Sequence, residues 1–214
     1  MIKGYIFDLD GVITDTAEFH YRSWARLAQE EGLSFTREDN EALRGVPRRA
    51  SLEILLKGKV YPEAQMLEMM ERKNNYYREF LTEIQPADLL AGVGDFLQEA
   101  HDAGIKLGLG SASKNARDVC EKLGIMPLLD VLGDGTSVVN QKPAPDLFIW
   151  VAGGMGFNPT ECIVFEDAEA GVKAARDGGF WTVGLGPMER VKQAHRVRVN
   201  LEGASVAEFA GIGG

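Results

Sequence analysis

Apolar residues in this chain follow two alternating patterns. Short apolar runs of the kind that form buried strands occur at 5–7, 106–109, 130–132, 163–165 and 181–185. Between the later runs, helical spacing occupies 113–123, 144–155 and 168–178. Strands that alternate with helices in this way predict a parallel sheet covered by helices on both faces. In such sheets, ligands bind at the carboxyl ends of the strands, near the point where the strand order reverses.

The segment from about 16 to 84 departs from this alternation, because it shows helical spacing and no convincing strand. A long helix is predicted at 17–31, with Phe19, Trp24 and Leu27 on one stripe, and another at 62–81. Its methionines and aromatic residues are expected to be ordinary core.

An all-helical segment placed just after the first strand predicts a separate cap. We therefore expect a core domain of residues 1–15 and 87–214 and an inserted cap of residues 16–86. The expected hinge residues between them are Thr14, Asp15, Thr16, Gln85 and Pro86. After residue 197, a glycine-rich tail predicts an edge strand, a short helix and a frayed end.

Composition narrows the possible partners. The chain has 214 residues, with 32 acidic against 23 basic side chains and a net charge of -9, which argues against a nucleic-acid or anionic-membrane surface. Cys120 and Cys162 lie far apart without metal-type spacing, so both are expected to be reduced core residues. No apolar run approaches the ~20 residues that span a bilayer, and no signal-peptide pattern is present. We expect a cytoplasmic, soluble protein.

The first candidate for chemistry follows the first strand, where Asp8 and Asp10 flank a leucine and Gly11 allows a sharp turn. Two carboxylates at the end of a strand can hold a hard cation and attack phosphorus. A turn of solvated acids is the alternative for this motif alone. An EF-hand loop is excluded, because its sixth position would be Ile13 and its twelfth Phe19.

Three further strand ends carry polar groups. Small residues and hydroxyls at 109–115 suit a phosphate at a helix N-terminus, although Ser113 could simply cap that helix. Lys142 lies among turn residues, where a compact cation can meet a phosphate or be solvated. Glu166 and Asp167 follow another strand and either cap the next helix or complete a metal site. No P-loop pattern supports a nucleotide hydrolase.

The four strand ends carry, in chain order, two acids, hydroxyl groups, a lysine and two further acids. This order and spacing of motifs resembles the haloacid-dehalogenase superfamily of phosphotransferases. Within it, similarity to the β-phosphoglucomutase family extends to about Gly186. The residues that carry this similarity are 8–18 with His20, 44–46 with Arg48 and Ser51, 72–74, 111–115 and 142–146. The resemblance implies an α/β class fold, with a Rossmann-like parallel-sheet core and an inserted helical cap.

The resemblance also implies roles. Asp8 is the nucleophile that becomes phosphorylated, and Asp10 is the general acid and base. The implied cofactor is Mg²⁺, held by Asp8, Glu166, Asp167 and the main-chain carbonyl of Asp10. The transferring phosphoryl group is expected to bind Ser111, Lys142 and the backbone of Ala112.

The resemblance implies that a second set of residues binds the substrate and its distal phosphate. These are His20, Arg48, Ser51, Lys73, Ser113, Lys114 and Asn115. Plain alternatives remain, since His20 could be a surface histidine and Lys73 could belong to a solvated helix face. Arg48 is preferred to Arg49 by its spacing from Gly45, although Pro47 departs from the small polar residue expected there. Residues 133–141 have no assigned role.

The resulting hypothesis is a mutase that interconverts β-glucose 1-phosphate and glucose 6-phosphate through an aspartyl phosphate and a sugar bisphosphate. Its main rival is a phosphatase of small phosphate esters that uses the same two aspartates. A non-catalytic phosphosugar sensor is disfavoured, because a binding protein needs neither a nucleophile nor an acid. The expected partner is a small phosphorylated sugar, and the expected assembly is a monomer.

Overall fold

The computed structural model describes residues 1–43 and 46–212. Contacts divide the chain into two compact units, one formed by Met1–Asp15 and Gln85–Gly214 and the other by Thr16–Ile84. Within the described residues, no helix is both long and apolar enough to cross a membrane.

The boundary after the helical insertion lies two residues earlier than the sequence predicted. Gln85 precedes a short 3-10 helix, Pro86–Asp88, and its backbone N–H donates to Asp88 Oδ2 at 2.9 Å. The hydroxyl of Thr14 donates to the carbonyl of Asp88 at 2.7 Å. The division of the chain by contacts places Gln85 and Pro86 in the first unit, whereas the sequence placed both in the cap.

The first unit contains a parallel sheet of six strands. They are β1 (Gly4–Phe7), β2 (Lys106–Gly110), β3 (Val131–Gly133), β4 (Cys162–Glu166), β5 (Trp181–Leu185) and β6 (Arg196–Arg198). Their order is β3-β2-β1-β4-β5-β6, and all neighbouring pairs are parallel. The order reverses between β1 and β4, which is where ligands bind in sheets of this kind. The parallel α/β fold expected from the sequence is confirmed.

The central strands read as continuous apolar runs because both of their faces are covered. On one face of β1, Ile6 belongs to the core formed with the helices that follow β3 and β4. On the other face, Tyr5 stacks on Phe96 at 5.7 Å and Phe7 stacks on Phe165 at 4.8 Å. Successive side chains thus serve opposite layers, as the period of a strand requires.

Among the described residues of this unit, six α-helices accompany the sheet. They are labelled here in chain order after the four of the insertion: α5 (Val93–Asp102), α6 (Ala116–Lys122), α7 (Asp146–Met155), α8 (Glu169–Asp177), α9 (Met188–Val191) and α10 (Val206–Phe209). The helix predicted from residue 113 begins only at Ala116, and its N-cap is Asn115 rather than Ser113. Ser111 Oγ accepts from the N–H of Ser113 at 3.1 Å, and Ser113 Oγ accepts from Asn115 at 3.2 Å. These side-chain hydrogen bonds keep residues 111–115 in a turn, so the helix begins after them.

The second unit is helical, with α1 (Ala17–Glu30), α2 (Arg37–Glu41), α3 (Arg48–Leu56) and α4 (Glu63–Leu81). Trp24 and Leu27 of α1, Leu52 of α3 and Met66 and Met69 of α4 form one buried cluster. The two long helices and their apolar stripes are therefore confirmed as core. Phe19, expected on the same stripe, is half-buried and stacks on Phe80.

Candidate active site

The acidic motifs meet because β1 and β4 are neighbours. Phe7 pairs with Phe165 in the parallel register, and the N–H of Asp8 donates to the carbonyl of Phe165 at 2.9 Å. Asp8 therefore leaves β1 at the height where Glu166 ends β4. Residues far apart in the chain reach the same edge of the sheet at its switch point.

Lys142 joins the two carboxylates. Its ammonium lies 2.6 Å from Asp8 Oδ1 and 2.8 Å from Glu166 Oε2, and its side chain is 2% exposed. The same nitrogen lies 4.5 Å from the centre of the Phe148 ring, a contact that favours a cation. The lysine is thus an internal cation rather than a solvated loop residue.

The protonation of this cluster follows from its burial and its neighbours. Burial opposes the charge on Lys142, but Asp8 and Glu166 outweigh it and raise the pKa of the ammonium, which stays charged. Burial, together with the charge of Asp8, raises the pKa of Glu166 above its ordinary range, and Lys142 opposes that shift. A further cation at this site would favour the ionised carboxylate.

Three buried acids could hold a metal ion. One carboxylate oxygen each from Asp8, Glu166 and Asp167 lies within 4.8 Å of the others. Glu166 Oε1 also accepts the N–H groups of Asp167 and Ala168, both at 3.1 Å. Carboxylate oxygens in this arrangement suit a hard divalent cation.

Two glycines make room for the acids. A Cβ on Gly11, whose φ is +88°, would lie 2.4 Å from Asp167 Oδ2. A Cβ on Gly171 would lie 1.9 Å from Glu166 Oε2. No ordinary side chain fits at either position without displacing a carboxylate.

The predicted phosphate loop follows β2 at the same edge of the sheet. Ser111 is buried, and its N–H donates to the carbonyl of Gly133 at 3.0 Å. Gly135 donates to Ser113 at 3.2 Å, and a Cβ on it would lie 2.4 Å from the carbonyl oxygen of Ala112. The stretch 133–141, which the sequence left without a role, therefore supports this loop. The glycine at 135 was the signal for such a close approach.

Asp10 occupies the turn after β1 and is half-buried. The N–H of Gly11 donates to the carbonyl of Thr14 at 2.7 Å, which closes this turn. The side chain of Asp10 is not part of the three-carboxylate group found among the described residues. Burial, followed by the charge of Asp10, raises the pKa of Cys120 to about 12, which agrees with a protonated core thiol.

Comparison with known proteins shows which family has a similar sequence. A family model of haloacid dehalogenase-like hydrolases matches residues 2–179. The chain belongs to the haloacid dehalogenase-like family. Over 189 residues it is 40% identical to a β-phosphoglucomutase of Bacillus subtilis (strain 168), covering 86% of this chain and 84% of that protein. A fructose-1-phosphate phosphatase of Escherichia coli (strain K12) is 32% identical over 180 residues, covering 83% and 93%.

A solved structure of a β-phosphoglucomutase from Clostridium difficile is similar over 98% of this chain and 96% of its own, with a TM-score of 0.94 and 38% identity. The resemblance to β-phosphoglucomutases within the haloacid dehalogenase-like family is confirmed, and so is the enzyme class that it implied.

The helical unit of this family member contains the arginine predicted for a second phosphate. Arg48 begins α3, is half-buried and donates from Nη2 to Asn74 Oδ1 at 2.8 Å. Burial lowers the pKa of Arg48 from its ordinary value. Arg49 instead pairs with Glu53 at 2.8 Å and Glu63 at 2.6 Å. The two arginines thus differ, and Arg49 is engaged in surface ion pairs. The spacing argument for Arg48 also used Gly45, which lies outside the described residues, as does Arg44.

Lys73 is not on a solvated helix face, and that alternative is wrong. The residue is 3% exposed, with its ammonium 2.9 Å from His20 Nδ1. It lies 5.0 Å from the Trp24 ring and 4.7 Å from the Tyr77 ring, and the His20 ring stacks on Tyr77 at 4.3 Å. Aromatic faces accommodate a cation away from water.

The remaining predicted residues are placed as follows. Ser51 is buried and its hydroxyl donates to the carbonyl of Val46 at 3.2 Å. Ser113 and Asn115 are half-buried and Lys114 is exposed. Among the hinge residues, Thr14 and Thr16 are buried, whereas Asp15, Gln85 and Pro86 are exposed.

Sequence reasoning missed two side chains at the acidic cluster. Phe148 of α7 packs against the Lys142 ammonium, and its apolar helix gave no sign of that role. Arg190 of α9 lies 3.4 Å from Asp167 Oδ2, although it follows the last motif by more than twenty residues.

Proposed function

We propose that this enzyme is a phosphomutase that interconverts β-D-glucose 1-phosphate and glucose 6-phosphate. The observation that carries the phosphoryl transfer at Asp8 is the buried ion-pair cluster in which Lys142 contacts both Asp8 and Glu166. The identity of 40% to a β-phosphoglucomutase, against 32% to a fructose-1-phosphate phosphatase, favours a mutase over the alternative phosphatase. A small phosphorylated sugar is accordingly the proposed partner.

The chemistry assigned to Asp8 is attack on phosphorus. An oxygen of its carboxylate forms a bond to the phosphoryl group while the bond between phosphorus and the sugar oxygen breaks. Lys142 lies close enough to Asp8 to offset charge on the phosphoryl oxygens, and Ser111 with the Ala112 backbone would supply hydrogen bonds from the adjacent loop.

Asp10 would move the proton in both half-reactions. In the first, the phosphorylated Asp8 gives its phosphoryl group to the 6-hydroxyl of β-glucose 1-phosphate, and Asp10 accepts the hydroxyl proton. In the second, the resulting 1,6-bisphosphate returns the phosphoryl group at carbon 1 to Asp8, and Asp10 protonates the departing oxygen. Acid–base assistance of this kind contributes about 10²–10⁴ in rate.

Mg²⁺ is the proposed cofactor, held by Asp8, Glu166 and Asp167 with the main-chain carbonyl of Asp10. The three buried carboxylates fit a hard divalent ion, and the space beside Gly11 and Gly171 admits their head groups. When bound, the ion supplies neutralisation of charge on the transferring phosphoryl group.

A mutase must bind a second phosphate while the first reacts. We assign that phosphate to Arg48 with Ser51, Ser113, Lys114 and Asn115, because a guanidinium binds phosphate bidentately. His20 and Lys73 are proposed to contact the bound sugar and to help close the cleft around it. Thr14–Thr16 and Gln85-Pro86 are the proposed hinge.

One assay separates mutase from phosphatase. The full chain is given β-glucose 1-phosphate, Mg²⁺ and a trace of the 1,6-bisphosphate, and glucose 6-phosphate and free phosphate are followed together. Glucose 6-phosphate should form well in excess of free phosphate. Rapid release of phosphate without isomerisation would show that the phosphatase alternative is correct.

Two variants test the residue roles. Asp8→Asn removes the nucleophile and should abolish both activities. Arg48→Ala should impair isomerisation far more than hydrolysis of an ester with one phosphate, whereas Arg49→Ala, its neighbour in surface ion pairs, should leave the ratio unchanged. Unaltered mutase kinetics in Arg48→Ala would disprove the distal-phosphate assignment.

A further inference from the structure

Arg190 places a second cation at the acidic cluster, outside all four sequence motifs. Its Nη1 lies 3.4 Å from Asp167 Oδ2. The Arg190 side chain is 34% exposed, whereas the Asp167 side chain is 7% exposed. A partly hydrated guanidinium therefore faces a buried carboxylate.

The backbone that carries Arg190 is fixed against the sheet. Val191, the next residue, is fully buried, and a Cβ on Gly184 of β5 would lie 2.5 Å from the Cβ of Val191. After β5, Gly186 turns the chain with a φ of +106°, and a Cβ there would lie 3.4 Å from Arg190 Nη2. The head group of Arg190 thus passes close over this turn.

The two cations at the cluster meet different acids. Lys142 contacts Asp8 and Glu166, and the guanidinium of Arg190 faces Asp167. When all three carboxylates are ionised, as a bound divalent ion would favour, these five side chains carry one net negative charge. A divalent ion that takes Asp167 as a ligand must approach a carboxylate that the guanidinium already faces, and the two positive charges repel each other.

We propose that Arg190 is a counter-charge that competes with the divalent cation for Asp167. It holds Asp167 in place in the metal-free enzyme and weakens the binding of Mg²⁺. This inference rests on the Mg²⁺ site of the proposed function. It concerns affinity for the metal ion and needs no statement about the sugar.

The test is calorimetric titration of the full, EDTA-treated chain with Mg²⁺ alone. Arg190→Gln removes the charge, Arg190→Lys keeps it, and Arg196→Gln is the matched control, because Arg196 pairs with Glu208 in the same unit. Arg190→Gln should bind Mg²⁺ about fivefold to fiftyfold more tightly than the unaltered chain. Arg190→Lys and Arg196→Gln should bind as the unaltered chain does.

Thermal unfolding gives a second readout. Without divalent ions, Arg190→Gln should unfold at a lower temperature than the unaltered chain, and saturating Mg²⁺ should remove the difference. Mg²⁺ affinity in Arg190→Gln that is equal to or weaker than in the unaltered chain overturns the proposal. Equal tightening in Arg190→Lys also overturns it, because the charge would then not be the cause. If the unaltered chain neither binds Mg²⁺ nor gains stability from it, the metal site of the proposed function fails instead.

Discussion

Replacing Lys142 by methionine tests whether the buried ion-pair cluster has the energetics that its geometry implies. Methionine keeps most of the length of the side chain and removes the ammonium, which lies 4.5 Å from the centre of the Phe148 ring. Asp8 and Glu166 would then lack the cation that contacts both, at 2.6 and 2.8 Å in the unaltered chain. Removing one partner of a buried pair costs about 3–5 kcal/mol.

A loss of that size is large against a total stability of about 5–15 kcal/mol. At about 2–4 °C per kcal/mol for a protein of this length, it corresponds to a fall of about 6–20 °C in Tm. The measurement is thermal unfolding by circular dichroism in EDTA, so that no divalent ion replaces the lost charge.

Lys173→Met is the matched control. Lys173 pairs with Asp177 one turn along α8, and both side chains are about half exposed, at 53% and 49%. Surface pairs of this type contribute about 0.3–0.5 kcal/mol, so Tm should hardly change. If Lys142→Met unfolds at the temperature of Lys173→Met, the reasoning about the cluster is refuted.

Two further predictions concern backbone space and pH. Gly11→Ala should lower the free energy of unfolding by more than the ~1–2 kcal/mol of an alanine in the left-handed region, because its Cβ would lie 2.4 Å from Asp167 Oδ2. Gly104→Ala is the control, since Gly104 has a φ of +75° and open space around it. Equal losses of stability in urea unfolding of the two variants would contradict the steric argument. Partial loss of hydration, followed by the charge of Arg176, lowers the pKa of His195, whose Nδ1 accepts from the Thr182 N–H at 3.1 Å in the neutral form. The folded state therefore binds fewer protons than the unfolded one, so this contribution is present above pH ~6.5 and is lost as pH falls through the folded pKa. Urea unfolding at pH 7.5 and 5.5 should show a smaller loss in His195→Gln than in the unaltered chain, and equal losses would refute the assignment.

The strands were predictable because the central ones are buried on both faces and bounded by turn residues. Trp181–Leu185 has the bounds that the sequence predicted, and β3 is shifted by one residue. β1 and β2 are one residue longer than predicted, and β4 is longer by one residue at each end. The start of α6 was predicted wrongly. The hydroxyls of Ser111 and Ser113 bind nearby backbone N–H groups, and local propensity does not reveal that competition.

Residue types and motif order were sufficient to propose Asp8, Lys142 and the two acids at 166 and 167 as one site. Residue types and motif order did not reveal that Lys73 is buried among aromatic rings. A lysine on a helix is expected to be solvated unless its neighbours in the tertiary structure are known. The roles of the predicted site residues, the monomeric assembly and the cytoplasmic location stay predictions.

The sequence by itself determined the order of strands and helices, the helical insertion and the four polar strand ends, since these depend on short-range periodicity and residue chemistry. Only the tertiary structure decided which charges meet. Lys142 contacts Asp8 across 134 positions of the chain, and Arg190 reaches Asp167 from a separate short helix. The physical reason is the reversal of strand order between β1 and β4, which gathers distant residues at one edge of the sheet.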